Sequence, residues 1–122
     1  MKRIFLTLSL LASITVVYGQ DTTKQHQLEY FIVLYTIGEN WDTTNEYHEQ
    51  LYSSEHSTHL SQLRKANKIP IGARYSDTGM IILKANNESE AQEIIGKDPA
   101  MLNRLFKAEI YPLDAFYTGC ID

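Results

Sequence analysis

The polar and apolar positions of the chain form blocks that predict strands and helices in turn. Residues 29–37 are mostly aromatic and β-branched and contain neither glycine nor proline, which is typical of a strand. Both alternating sets of positions in this segment are apolar. Because a strand with two apolar faces is usually covered on both, we expect residues 29–37 to form a central strand.

Residues 45–66 show the apolar spacing of a long helix. One predicted face carries Tyr52, His56, Leu60, Leu63 and Asn67, which lie three or four residues apart. Leu60 and Leu63 mark the buried stripe. Asparagine tolerates the left-handed conformation found at helix ends, so Asn67 is predicted to end the helix.

The following segment predicts a hairpin and then a second helix. Residues 68–76 and 80–86 are strand-like, and residues 77–79 (Asp-Thr-Gly) between them predict a tight turn. Asn87 is predicted to begin the second helix, with Glu90 as its capping partner. Two paired strands therefore stand between two helices.

A break and a last strand complete the predicted order. The Asp98-Pro99 pair ends the second helix and starts a short helical turn that runs to Leu105. Residues 106–117 contain the fourth strand, interrupted at Pro112. The order β-α-β-β-α-β predicts an α+β, ferredoxin-like fold, with a four-stranded antiparallel sheet and two helices on one face.

The face of this sheet away from the helices also needs a cover. Two helices cover only one face, and the other still carries apolar side chains from the first and third strands. A second copy of the chain is the simplest cover. We therefore expect a homodimer that packs sheet to sheet, with a cleft between the two sheets.

The first nineteen residues follow the pattern of a secretory signal peptide. Two basic residues precede an uncharged, mostly apolar run at 4–17, and Gly19 supplies a small residue for cleavage. The run has about 14 residues, fewer than the roughly 20 needed to span a bilayer. We expect residues 1–19 to be removed on export and residues 20–28 to be a flexible lead-in. The mature protein is then periplasmic or secreted, with no membrane partner.

Composition narrows the function classes. With 122 residues, of which 43% are apolar, the chain is long enough for one domain. A formal net charge of −4 argues against a nucleic-acid partner, because phosphate binding requires clustered lysine and arginine. The single cysteine, Cys120, excludes an intrachain disulfide and a cysteine-rich zinc site. It is expected to stay unpaired or to pair between chains.

Four segments carry a resemblance to a known family. They are GENW at 38–41, EHSTHLSQLRKANKIPIGARY at 55–75, DTGMIILKA at 77–85 and FKAEIYP at 106–112. In this order they resemble the exported branch of the YCII-related (YciI-like) family, which belongs to the dimeric α/β-barrel superfamily. The resemblance covers residues 29–119, which form the predicted YCII-related domain.

The family pattern places a histidine on the first helix and two glycines after it. His56, Asn67 and Gly72 occupy these positions, and Asp98 with its following proline matches the Asp-Pro after the second helix. The resemblance implies a His56–Asp98 pair in a cleft but no known reaction for this chain. One branch of the family resembles a dehydrochlorinase of a chlorinated hydroxyquinol. Asn67 departs from the usual glycine, and Ala73 replaces a proline of many members, so the pocket shape of those members does not carry over.

His56 and Asp98 are the candidate catalytic residues. An imidazole on the same stripe as Leu60 must find a hydrogen-bond partner, and a carboxylate would fix its tautomer. Such a pair suits proton abstraction next to a carbonyl, or a 1,2-elimination, as in a lyase or isomerase. The alternative is a buried polar contact with a structural role only. Asp98 can also cap the following helix and use one oxygen for each task.

Four residues are candidates for substrate binding. Arg74 and Gly72 lie on the second strand, on the face that we assign away from the helices, where the guanidinium would bind a carboxylate or phenolate. Trp41 and Tyr35 border the same end of the first strand and would wall an aromatic pocket. The alternatives are an ion pair between subunits for Arg74 and core positions for the aromatic residues.

The sequence predicts neither a metal nor a cofactor. His56 and His59 have the spacing of two helical metal ligands, but no motif places a third, and His59 is more typical of a residue at the solvent edge. There is no phosphate-binding loop, nucleophilic serine elbow or CxxC motif. The expected partner is a small organic molecule, and the alternatives to an enzyme are a non-catalytic ligand-binding domain and a structural dimeric domain.

Overall fold

The computed structural model describes residues 27–119. Its elements are β1 (Glu29–Ile37), α1 (Ser53–Lys65), β2 (Ile71–Tyr75), β3 (Thr78–Ala85), α2 (Glu88–Gly96), α3 (Pro99–Leu102) and β4 (Phe106–Pro112), with a 3₁₀ turn at Tyr47–Glu49. The predicted signal peptide, most of the predicted lead-in and Cys120 lie outside the described residues. Within 27–119, none of the helices is long and apolar enough to cross a membrane.

The strands form one antiparallel sheet in the order β2-β3-β1-β4. β1 pairs with β3 on one side and with β4 on the other, so the central position predicted for residues 29–37 is confirmed. The predicted α+β class with a four-stranded antiparallel sheet is confirmed as well. The strand order is compatible with a ferredoxin-like fold.

One face of the sheet forms the core together with the helices. Phe31 and Val33 of β1 are fully buried, and Ile95 of α2 packs into the same cluster. Leu60 and Leu63 of α1 are half-buried against it, which confirms the stripe predicted from their spacing. Burying a side chain of this size stabilises a fold by roughly 1.5–3 kcal/mol, so these contacts hold both helices to the sheet.

The other face of the sheet is also apolar. Ile32 pairs with Ile82 of β3 and with Tyr111 of β4, and cross-strand partners share a face, so these three side chains form a row across the sheet. Leu34 lies on the same face of β1 and is half-buried. Tyr111 at this face is 51% exposed and Tyr30 is 45% exposed. The predicted apolarity of both faces of β1 is therefore present.

The long helix predicted over residues 45–66 is shorter in the structure. It begins at Ser53, because Tyr52 has a left-handed backbone with φ of 70° that a continuous helix cannot include. The residues before it contain only the 3₁₀ turn at Tyr47–Glu49. Apolar spacing alone cannot distinguish a helix from a turn that places a few side chains on the same side.

A buried glutamine accounts for the non-helical segment before α1. Gln50 is 6% exposed, and its amide nitrogen donates to the carbonyl oxygens of Asp42, at 2.6 Å, and Asn45, at 2.9 Å. Its side-chain oxygen accepts from the Asp42 backbone N–H at 3.0 Å. These bonds hold the preceding loop in place. Because its backbone groups bond to the Gln50 side chain, they are not available for the backbone hydrogen bonds of a helix.

The hairpin turn also differs from the prediction. The turn is formed by Ser76 and Asp77, and Ser76 has φ of 49°. Thr78, predicted in the turn, begins β3 instead. β2 begins at Ile71 rather than at residue 68, because the preceding Pro70 has no N–H to give to the sheet. The hairpin therefore has two turn residues and not three, which changes the pairing of its strands.

The predicted helix ends are mostly confirmed. Asn67, with φ of 57°, follows α1 in the left-handed conformation. Asn87 caps α2, since its side-chain oxygen accepts from the Glu90 backbone N–H at 2.8 Å. The Glu90 carboxylate accepts from the Asn86 backbone N–H instead of that of Asn87. α3 starts at Pro99 but ends at Leu102, before Leu105, because Arg104 is left-handed with φ of 54°.

Gly38 allows the chain after β1 to approach the chain before β4. Its N–H donates to the Leu105 carbonyl at 2.8 Å, and a Cβ on Gly38 would lie 2.2 Å from the Arg104 carbonyl oxygen. We expect Gly38→Ala to lower the free energy of unfolding by about 1–3 kcal/mol, because backbone must move to admit the methyl group. Urea denaturation measures this change. Gly96→Ala is the matched control, since nothing lies within 4 Å of that position. Equal effects of the two substitutions would contradict the argument.

Candidate active site

α1 and α3 bring His56 and Asp98 together. His56 lies in the first turn of α1 and faces the sheet, and Asp98 is the N-cap residue of α3. His56 Nδ1 is hydrogen-bonded to Asp98 Oδ2. His56 is 7% exposed and Asp98 is fully buried. The pairing predicted from the sequence is therefore present, across a separation of 42 residues in the chain.

Asp98 uses its two oxygens for different partners. Oδ1 accepts from the Ala100 backbone N–H at 2.9 Å and caps α3, while Oδ2 binds His56. This division of the carboxylate was predicted. A carboxylate accepts hydrogen bonds, so Nδ1–H of His56 is the donor, and in the neutral imidazole the lone pair is then on Nε2. The tautomer follows from the bonding pattern, and it is the one that suits a general base.

The Nε2 atom of His56 is open to a cleft. It makes no hydrogen bond to any residue of the described part of the chain. Among those residues, the only fully buried side-chain nitrogen or oxygen without a partner is Tyr35 Oη. His56 Nε2 therefore keeps contact with solvent, and His56 lines a cavity of about 860 Å³. We call this cavity the histidine cleft.

Aromatic side chains wall the histidine cleft around one phenylalanine. The centroid of the Phe106 ring lies 4.9 Å from that of His56, 5.8 Å from that of Trp41 and 6.3 Å from those of Tyr35 and Tyr47. The Tyr35 ring meets His56 edge-on at 5.2 Å. Trp41 and Tyr35 therefore reach the cleft as predicted. The Phe106 ring contacts both of these side chains and His56.

Phe106 and Tyr47 are site residues that the sequence analysis missed. Phe106 is the first residue of β4 and pairs with Ile37 at the end of β1. The position of Phe106 beside the end of β1 follows from the strand order, so a predicted strand order would have identified Phe106 as a site residue. Tyr47 stacks on Phe106, and its hydroxyl lies 3.0 Å from Ser57 Oγ. Tyr47 was not identified because residues 45–66 were predicted to form one continuous helix.

Arg74 and Gly72 also line the histidine cleft, but on the opposite face of β2 from the one predicted. Gly72 pairs with the core residue Ile81, and Arg74 pairs with Gly79, so both face the helices. A three-residue turn would pair Arg74 with Ile82 on the open face. The observed turn at residues 76–77 pairs Arg74 with Gly79 instead, a shift of three positions, and an odd shift exchanges the faces of the strand. The prediction that these residues lie away from the helices was wrong.

The Tyr35 hydroxyl is buried beside the pair. Burial, and then the negative charge of Asp98, raise the pKa of Tyr35, so the hydroxyl remains protonated at neutral pH. Tyr35 is 5% exposed and Oη has no hydrogen-bond partner. A phenylalanine would fill the same space without this unpaired group.

Within residues 27–119, the two other histidines do not line the cleft. His59 Nε2 lies 3.1 Å from the Ile94 carbonyl oxygen and links α1 to α2, so it is half-buried and not a solvent-edge residue as predicted. His48 is exposed in the 3₁₀ turn. Across residues 27–119, no group of three or more His, Cys, Asp or Glu side chains is arranged to hold a metal ion.

The cleft combines an acid–base group, an aromatic wall and a cation. The five predicted residues Tyr35, Trp41, His56, Gly72 and Arg74 line it, while Asp98 lies buried behind His56. No protein-family model matches the chain, and no curated protein matches it in sequence. Membership of the YCII-related family remains a prediction from the motifs. The chemistry of the site is inferred from its own geometry.

Because the Tyr35 hydroxyl is buried without a partner, we expect Tyr35→Phe to raise the free energy of unfolding by about 1 kcal/mol. Urea denaturation of the two proteins measures the difference. Tyr47→Phe is the matched control and should lower the free energy of unfolding by about 0.5–1.5 kcal/mol, because its hydroxyl contacts Ser57 Oγ and the Ser53 carbonyl. A loss of stability in Tyr35→Phe would mean that this hydroxyl has a partner in solution.

Proposed function

We propose that the chain binds a small organic molecule in the histidine cleft and transfers a proton to or from it, with His56 as the base. The observation that carries this proposal is the bonding of His56: Nδ1 is held by buried Asp98, and Nε2 is open to the cleft. The carboxylate orients the ring and stabilises the imidazolium that forms when Nε2 takes a proton.

The proposed reaction is that of a lyase or isomerase. Nε2 removes a proton from a carbon next to a carbonyl group, and the C–H electron pair moves to form an enolate. In an isomerisation, the imidazolium returns the proton to a different carbon. In an elimination, the electron pair expels a leaving group from the neighbouring carbon. Arg74, at the exposed rim of the cleft, would bind an anionic group of the substrate through its planar guanidinium.

The aromatic wall favours a ligand with a planar apolar part. Trp41, Tyr35 and Tyr47 contact the Phe106 ring, and all four line the cleft, where they can pack against an aromatic ring or a conjugated chain. A non-catalytic ligand-binding domain would use the same wall and would not need an open Nε2. The two alternatives differ only in whether a proton is transferred.

Deuterium exchange tests the transfer. We expect the wild-type protein to accelerate exchange at the carbon next to the carbonyl in alkyl aryl ketones or 3-aryl-2-oxopropanoates in D₂O, followed by proton NMR. His56→Gln should reduce the acceleration roughly 10²–10⁴-fold, because the amide cannot act as a base. His48→Gln is the matched control, since His48 is exposed and does not line the cleft.

A second variant separates the roles of the pair. Asp98→Asn can retain the cap on α3, but its amide group cannot accept from Nδ1–H and from Ala100 with one oxygen each. We expect the ¹⁵N shifts of His56 to report a change of tautomer in this variant, together with a lower exchange rate. Equal exchange in wild type and His56→Gln would contradict the catalytic proposal. Saturable binding without exchange would favour the non-catalytic domain.

We also propose that the fold is ferredoxin-like and that two copies pack sheet to sheet. The support is the apolar row of Ile32, Ile82 and Tyr111 on the face opposite the helices, with Tyr30 beside it. Exposed apolar patches of this kind mark interaction surfaces. Because Arg74 faces the helices, the histidine cleft of each copy would lie outside this interface rather than between the sheets.

We expect light scattering at micromolar concentration to give the mass of two chains. Ile82→Asp should give a monomer with an unchanged circular dichroism spectrum, because a carboxylate in the centre of the interface would lose its water. Gln92→Asp, on the exposed side of α2, adds the same charge and should stay dimeric. A monomeric wild type would contradict the proposal.

Export, with removal of residues 1–19, is proposed from the sequence alone.

A further inference from the structure

A second cavity adjoins the histidine cleft along β2. It has a volume of about 890 Å³, and we call it the adjoining groove. The two cavities share the lining residues Ser57, Leu60, Gly72, Ala73 and Ile81. They therefore lie side by side between α1 and β2, and the shared residues form the passage from one to the other.

Gly72 leaves this passage open. It faces the helices, and a Cβ added to it would have only Ile81 Cγ2, at 3.7 Å, and the Met80 carbonyl oxygen, at 3.9 Å, within 4 Å. Both distances are ordinary van der Waals contacts, and no atom of α1 is as near. The backbone of Gly72 is also not in the left-handed region that requires glycine. The fold admits a larger side chain at this position, and such a side chain would fill the passage.

The chemistry of the adjoining groove changes along its length. Leu60, Ile81, Ile69 and Pro70 give it apolar walls next to the passage. Arg64 lines the groove, and Arg74 lines the histidine cleft. Neither arginine forms an ion pair with another residue of the described chain. Both are available to an anionic ligand.

We infer that Gly72 is a specificity-determining residue that admits an elongated anionic amphiphile. The inference rests on the proposed function, since the reactive head group lies at His56 with its anionic group on Arg74. An apolar chain then passes between Gly72 and Leu60 into the adjoining groove.

Glu46 and Asp77 also line the histidine cleft. Both side chains are exposed to solvent, Glu46 before the 3₁₀ turn and Asp77 in the hairpin.

Straight-chain carboxylates from butanoate to decanoate are the probes, and fluorescence of Trp41 is the signal. Trp41 is the only tryptophan of the chain and lies in the wall of the cleft. Each methylene that enters the groove should tighten binding about fourfold. The dissociation constants of hexanoate and decanoate should therefore differ by about 200-fold in the wild type.

Gly72→Leu should close the passage and reduce this ratio to about tenfold or less, because added methylenes remain in water. Gly72→Ala should give an intermediate ratio. Gly96→Leu is the matched control, since Gly96 has nothing within 4 Å and lines neither cavity, and it should keep the wild-type ratio. If Gly72→Leu does not fold, Leu60→Phe narrows the passage from the helix side and should reduce the ratio in the same direction.

Three results would overturn the inference: no binding of any carboxylate, a wild-type ratio near one, or an unchanged ratio in Gly72→Leu. The proposed proton transfer is tested by a different result from the role of Gly72. Binding that tightens with chain length, without His56-dependent deuterium exchange, would support the role of Gly72 and contradict the enzyme. Deuterium exchange without dependence on chain length would support the enzyme and contradict the role of Gly72.

Discussion

The hydrogen bond between His56 and Asp98 joins the start of α1 to the start of α3 in the interior of the protein. A buried imidazole and a buried carboxylate would each be destabilising without a partner, so each group satisfies the other. The second oxygen of Asp98 caps α3, which fixes the carboxylate in place. Because the ring is held through Nδ1, Nε2 has a defined direction towards the cleft.

The position of the cleft depends on a small residue and on strand pairing. α1 covers the core of β1 and β3, but β2 at the sheet edge has Gly72 on the side that faces the helix. The missing side chain leaves space between helix and strand. The two-residue turn of the hairpin determines that Gly72 and Arg74 face this space. A cleft on the helix side can therefore exist within one chain, independently of the partner that we propose for the open face.

Two features of the described chain are not explained by its own stability. Tyr35 keeps an unpaired hydroxyl in the interior, beside the histidine. The open face of the sheet keeps Tyr30 and Tyr111 about half exposed. An unpaired buried hydroxyl reduces stability, and an exposed apolar patch leaves in water a surface that a partner could bury. Departures from the most stable packing often occur at positions that bind a ligand or a partner.

Local pattern determined much of this protein. The strand at residues 29–37, the buried stripe of Leu60 and Leu63 and the caps at Asn67, Asn87 and Asp98 were all predictable, because each depends on side chains a few residues apart. The need of His56 for a buried partner was also predictable, since it lies on an inward stripe, and the family resemblance implied that Asp98 is this partner.

The tertiary structure decided what depends on residues far apart in the sequence. Gln50 ends the apparent helix through bonds to the backbone of a preceding loop. Phe106 enters the site only because β4 pairs with β1. The face of Arg74 depends on the hairpin turn, because the observed pairing differs by three positions from that of a turn at residues 77–79 and a strand with period two changes face with every odd shift. Sequence spacing determined which residues were chemically suitable, but strand pairing determined which of them share a cleft.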